Sequence, residues 1–95
     1  MPDSCNVAVL GGGSFGTVIA NIIAGNGHHV RLWLRNNALA ESINDQRQNS
    51  EYLPGYLLDD KLEATASLAA AVESVDVLFV AVPSGSFRQV VRELA

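Results

Sequence analysis

Val7-Ala8-Val9-Leu10-Gly11-Gly12-Gly13-Ser14-Phe15-Gly16 is an apolar run that breaks on a cluster of glycines. Read as G-x-G-x-x-G, its motif glycines are Gly11, Gly13 and Gly16. The pattern is common by chance, so its surroundings decide its meaning. An apolar helical stretch, Thr17-Val18-Ile19-Ala20-Asn21-Ile22-Ile23-Ala24, follows it, and a second strand, His29 to Arg35, comes where a βαβ unit places one. Each glycine then has a physical task. Gly11 permits the tight strand-to-helix turn, Gly13 has no Cβ to hold a pyrophosphate off the backbone, and Gly16 lets the helix pack close to the sheet. The first amides of the helix, backed by its positive dipole end, face the phosphates. The competing reading is a glycine-rich turn without a ligand. A mononucleotide P-loop is disfavoured, because Thr17 stands where that motif requires Lys.

Working outward, the first strand is about Asn6 to Leu10, apolar enough to lie centrally in a parallel sheet with both faces covered. The first helix runs from about Ser14 to Asn26-Gly27, with Gly27 as a left-handed cap. The second strand alternates, placing Val30, Leu32 and Leu34 on one face and Arg31, Trp33 and Arg35 on the other. A helix over Ala38–Gln46 follows, capped by Asn36 or Asn37. Next is an aperiodic stretch, Gln48 to Asp60, holding Tyr52-Leu53-Pro54-Gly55, and its length marks a functional loop. Then come a strand at Leu62–Thr65, a helix from Ser67 to about Val75 and a strand from Val77 to Val82. Ser86-Phe87-Arg88-Gln89 reads as the capping box of a last helix, with Phe87, Val90, Val91 and Leu94 on one face. With right-handed crossovers this is an α/β chain, a Rossmann-type doubly wound parallel sheet of expected order 3-2-1-4. The expectation is an incomplete sheet, the N-terminal portion of a dinucleotide-binding domain over residues 1–95. Its fourth strand has an open edge through which the chain could pair with a second copy.

Composition narrows the partners. The chain has 95 residues and a formal charge of −4, which supports one small domain with a modest core. Its five arginines and single Lys61 are scattered, so no nucleic-acid footprint is present. No apolar run approaches the roughly 20 residues that span a bilayer. The polar start, Met1-Pro2-Asp3-Ser4-Cys5, does not read as a secretory signal, and the lone Cys5 reads as a small buried or half-buried hydrophobe in a reducing cytoplasm.

Nineteen residues beyond Gly16, where a NAD-preferring site carries an acid for the ribose hydroxyl, stands Arg35, with no acid between Trp33 and Asn37. An arginine cannot accept that bond, but it pairs with a 2′-phosphate and stacks on adenine, which favours NADPH or dual use with NADH. The alternative is a solvated arginine at a strand end. Asn36 is either a second donor there or the helix cap. Ser14 offers its hydroxyl and amide to the pyrophosphate while able to cap the first helix. Phe15 either lies along the dinucleotide or packs on the neighbouring loop. Val82-Pro83-Ser84 falls at the carboxyl end of the fourth strand, where Pro83 would meet a ligand in the crevice and Ser84 would cap a helix. His28 and His29 sit at the opposite end of the sheet, as a helix-end cation and a solvated turn residue. Asp59-Asp60 reads as a solvated turn without metal-ligand companions. No Ser-His-Asp or Cys-His arrangement and no acid–base pair can be assembled at the crevice.

The chain closely resembles the N-terminal part of bacterial NAD(P)-dependent glycerol-3-phosphate dehydrogenases. The likeness runs through Val9-Leu10-Gly11-Gly12-Gly13-Ser14-Phe15-Gly16-Thr17, Asn26-Gly27-His28, Val30-Arg31-Leu32-Trp33 with Arg35, Asn49, Tyr52-Leu53-Pro54-Gly55 and Val80-Ala81-Val82-Pro83-Ser84. The tyrosine–leucine–proline–glycine loop is its most specific part. The resemblance implies a cytoplasmic oxidoreductase that reduces dihydroxyacetone phosphate to sn-glycerol 3-phosphate for phospholipid synthesis. It also implies that Ser14, Phe15, Arg35 and Tyr52 contact the dinucleotide. The family's catalytic lysine belongs to a segment after Ala95 and Lys61 does not match it, so the 95-residue chain alone is expected to be inactive. Rivals are a ketopantoate or hydroxyacid reductase with the same cofactor domain, and a non-catalytic nucleotide-sensing module.

Overall fold

The computed structural model describes residues 4–82 and 84–94. Its elements are β1 (Asn6–Leu10), α1 (Ser14–Gly25), β2 (His29–Trp33), α2 (Asn37–Gln46), β3 (Leu62–Thr65), α3 (Leu68–Val72), β4 (Val77–Val80) and α4 (Ser84–Leu94). The four strands are all parallel and lie in the order β3-β2-β1-β4, as the alternation of strand and helix predicts. β1 is central, and Val7 to Leu10 are buried on both of its faces.

The alternation within β2 sorts the core into two layers. Val30, Leu32 and Leu34 pack with Ala20 and Ala24 of α1 and with Leu39, Ala40 and Ile43 of α2. Trp33 turns the other way, with Ala8 and Leu10, against Ala71 of α3 and Val90 of α4. Leu10 and Leu32 are fully buried, each contributing about 1.5–3 kcal/mol relative to an exposed position. Polar ends are closed locally. The Asn36 side chain accepts from the Leu39 amide at the start of α2, and Ser67 accepts from Ala70 at the start of α3. Gly27, at φ +97°, follows α1 in the left-handed region.

Several boundaries differ from the sequence expectation, for reasons of pairing. β2 ends at Trp33 rather than Arg35, although the Leu34 amide still donates to Thr65 before the chain leaves to cap α2. β4 ends at Val80 rather than Val82, because its partner β1 departs at Gly11 and the Ala81 amide makes the last bond, to Leu10. α3 stops at Val72 rather than Val75. Arg31 donates to the carbonyls of Ala70 and Glu73, and Ser74 takes a positive φ of 55°, which ends the helical path. α4 begins at Ser84, two residues before the expected cap at Ser86, so Ser86 falls in its first turn. On α4, Val90 is buried while Phe87 and Val91 are exposed, so the expected single apolar face is only partly covered. The His28 Nδ1 accepts from the Cys5 amide at 2.9 Å, tying the turn after α1 to the start of β1. Cys5 itself is half-buried, as expected. No helix among the described residues is long and apolar enough to cross a membrane.

Candidate functional site

The strand order reverses between β1 and β4, and the carboxyl ends of both strands meet the glycine turn. Gly11, at φ +123°, makes that turn. A Cβ there would lie 2.6 Å from the Ala81 carbonyl oxygen, so close approach and conformation both require glycine. At Gly16 a Cβ would stand 1.9 Å from the Gly11 carbonyl oxygen, which is the tight packing the sequence predicts. Gly12, a variable position of the motif, is constrained as well: its Cβ would fall 2.8 Å from that of Leu34. Gly13 is different. It has φ −73° and ψ −174°, and a Cβ on it would meet no protein atom within 4 Å. Space is left open above Gly13 that packing does not demand.

Gly13 is the N-cap residue of α1 and provides no side-chain cap. The capping role considered for Ser14 is therefore not realised. Ser14 is the first residue of the helix, and its hydroxyl donates to the Tyr52 carbonyl at 2.5 Å. The first intrahelical bond runs from the Thr17 amide to Gly13, which leaves the amides of Ser14, Phe15 and Gly16 without helical acceptors at the positive end of the dipole. No acidic residue occupies that first turn. Phe15 is 71% exposed and borders the same crevice as Tyr52.

The loop between α2 and β3 closes over this turn through one residue the spacing argument passed over. Asn49 is fully buried. Its Nδ2 donates to the Gly12 carbonyl and to Thr17 Oγ1, both at 2.9 Å, and its Oδ1 accepts from the Tyr52 amide at 3.2 Å. Thr17, also buried, donates from Oγ1 to Gly12. One amide side chain thus joins the glycine turn, the first helix and the Tyr52 loop. The sequence signal was its place three residues before Tyr52. A polar side chain can satisfy a buried turn in this way only after the fold has brought the turn to it.

Gly11 to Gly16, Trp33 to Asn36, Tyr52 and Ala81–Val82 line one open crevice of about 690 Å³. That volume lies within the range of ligand pockets, and the position outside the carboxyl strand ends is where such sheets bind ligands. A smaller groove, about 420 Å³, lies at the opposite end of the strands among His29, Arg31, Asp60, Lys61 and Glu63.

At the far end of the crevice the Arg35 guanidinium lies 5.0 Å from the Trp33 ring centroid. The Trp33 ring is buried and fixed by its Nε1–H donating to the Ala66 carbonyl at 3.2 Å, so it forms a rigid platform. Arg35 Nη2 also donates to Glu93 Oε2 of α4 at 3.0 Å, a contact between groups 58 positions apart that spacing alone did not reveal. Asn36 caps α2 through its Oδ1, which accepts from the Leu39 amide at 3.1 Å. Asp59 lies in the turn before β3, where its Oδ1 accepts from the Lys61 amide. Pro83 and the capping role expected of Ser84 lie outside the described residues. The structure thus gathers Gly11, Gly13, Ser14, Phe15, Gly16, Arg35 and Tyr52 around one crevice.

Known proteins resemble this chain in sequence and in fold. Residues 6–95 match the family described as NAD-dependent glycerol-3-phosphate dehydrogenase N-terminus. The glycerol-3-phosphate dehydrogenase (NAD(P)+) of Teredinibacter turnerae is 58% identical over 95 residues, covering all of this chain and 28% of that protein. That of Saccharophagus degradans is 53% identical over 92 residues, covering 97% of this chain and 26% of the relative. Among solved structures, glycerol-3-phosphate dehydrogenase from Coxiella burnetii superposes with a TM-score of 0.91 at 33% identity, covering 98% of this chain and 29% of that one. The Saccharomyces cerevisiae enzyme gives 0.89 at 30% identity, covering 97% and 30%. The chain spans just over a quarter of the length of the curated relatives it matches.

Proposed function

The chain belongs to the NAD-dependent glycerol-3-phosphate dehydrogenase family, and we propose on that footing that it is the cofactor-holding part of an enzyme that reduces dihydroxyacetone phosphate to sn-glycerol 3-phosphate. The observation that carries the reading is the open space over Gly13, bordered by the Ser14, Phe15 and Gly16 amides, beside glycines whose lack of a Cβ is otherwise spent on packing. A dinucleotide pyrophosphate fits that cradle in shape and charge. NADPH or NADH, when bound, would supply the hydride that reduces the ketone carbon.

The chain's own residues bind and orient. The α1 amides would hold the pyrophosphate, with Gly11 and Gly16 keeping the turn tight beneath it. Tyr52, anchored through Asn49 and Ser14, would bound the crevice from the loop side. Arg35 would take the adenosine 2′-phosphate from its Trp33 platform, which favours NADPH. The group that protonates the developing alkoxide and the contacts to the substrate phosphate belong, in this reading, to sequence beyond these 95 residues. The reading places this reaction in the cytoplasm. For the 95-residue chain alone, the reading includes pairing of two copies along β4, where Val77, Leu78 and Phe79 are 41–42% exposed.

The test is steady-state oxidation of NADPH and NADH by the full-length gene product with dihydroxyacetone phosphate. Turnover, faster with NADPH, supports the reading. Cofactor binding without turnover moves the assignment to another ketone or to a nucleotide-sensing role.

A further inference from the structure

The geometry points to Glu93 as a residue that sets the choice between phosphorylated and unphosphorylated cofactor, through its hold on Arg35. The inference rests on the proposed role of Arg35 and adds a second residue, on another element, to it. Arg35 leaves β2 with its guanidinium over Trp33, and Glu93, near the end of α4, reaches across to bond Nη2 at 3.0 Å. Both side chains remain accessible, at 51% and 40% exposure, so a ligand can reach either partner.

The two cofactors meet this pair differently. A 2′-phosphate seeks the same guanidinium donors that Glu93 occupies, and it brings negative charge beside the carboxylate. It therefore binds only as the Glu93 contact is given up, and part of its attraction to Arg35 is cancelled. A ribose 2′-hydroxyl carries no charge and needs an acceptor. Arg35 has no acceptor, and β2 ends without an acid. Glu93 Oε2, held beside Arg35, is the carboxylate placed to accept that hydroxyl while keeping its bond to Nη2. The acid that such folds carry at the end of the second strand is here supplied from the helix after the fourth. The pair serves NADH intact and serves NADPH when opened.

The experiment is Glu93→Gln in the full-length protein, with dissociation constants for NADPH and NADH from cofactor fluorescence. Glutamine keeps the length and the hydrogen bonding and removes the charge. Loss of an exposed ion pair that competes for Arg35 should tighten NADPH about threefold. Replacing the charged acceptor should weaken NADH about tenfold. The ratio of the two constants then shifts about thirtyfold, whereas a merely structural role moves both constants together. Constants that stay fixed, or move by a common factor, overturn the inference. Arg35→Ala measured in parallel separates the two levels. If it weakens NADPH selectively while Glu93→Gln leaves the ratio unchanged, the assignment of Glu93 alone fails. If Arg35→Ala binds NADPH as tightly as the parent, the 2′-phosphate reading fails and this inference with it.

Discussion

Gly13→Ala separates what the protein needs from what its ligand needs. In the free protein the added methyl meets nothing within 4 Å, and the backbone at φ −73° is open to alanine. Two small effects oppose each other. Alanine is a poorer N-cap than glycine by about 0.5–1 kcal/mol, and it restricts the unfolded chain by about 0.4–1 kcal/mol. The expected change in stability is within about 0.5 kcal/mol, or about 4 °C in melting temperature for a domain of this size. Binding is another matter. A phosphate oxygen bonding the α1 amides must come to about 3 Å from the backbone, where the methyl now stands. Overpacking of that kind costs about 1–3 kcal/mol, and the middle of the range is about a thirtyfold weaker dissociation constant. With NADPH at one hundred times the parent's dissociation constant, the parent gains about 2.7 kcal/mol of stability and the variant about 0.9. Thermal melts with and without NADPH, together with a fluorescence titration, read both quantities. Equal affinity in parent and variant would refute the placement of the pyrophosphate over Gly13. A variant unstable without ligand would refute the account of the turn.

The other expectations follow from neighbouring contacts. Gly16→Ala places a methyl 1.9 Å from the Gly11 carbonyl, so it should lose about 3 kcal/mol or more without any cofactor; a melt like the parent's would contradict the packing argument. Asn49→Ala removes two donated bonds and one accepted bond around the buried glycine turn, with an expected loss of about 2–4 kcal/mol and weaker binding of both cofactors, checked by urea denaturation and titration. Arg35→Ala should weaken NADPH far more than NADH, and an equal loss for both would sink the 2′-phosphate role. The 95-residue chain, purified alone, should self-associate through β4, and light scattering that finds only monomer at high concentration would exclude it.

The order of strands and the place of the crevice were readable because both rest on local signals. Alternation in β2, the apolar run of β1 and the glycine spacing each act within a few residues, and handedness supplies the topology. Strand ends were less readable, since Val80 ends β4 only because β1 turns away at Gly11. The least legible features join distant parts of the chain. Asn49 acts on Gly12 and Thr17, which lie 37 and 32 positions earlier, and Glu93 acts on Arg35 from 58 positions later. No periodicity encodes such pairs. The His28 contact is of the same kind, since the Cys5 amide that it accepts from lies 23 positions away.

The placement of the cofactor is tested most directly by a crystal structure of the full-length protein with NADPH. The account predicts the pyrophosphate over Gly13 against the Ser14 and Phe15 amides, with the adenosine 2′-phosphate on Arg35 and the Glu93 contact opened. A nucleotide bound elsewhere, such as the groove between His29 and Lys61, or a 2′-phosphate turned away from Arg35, would contradict it.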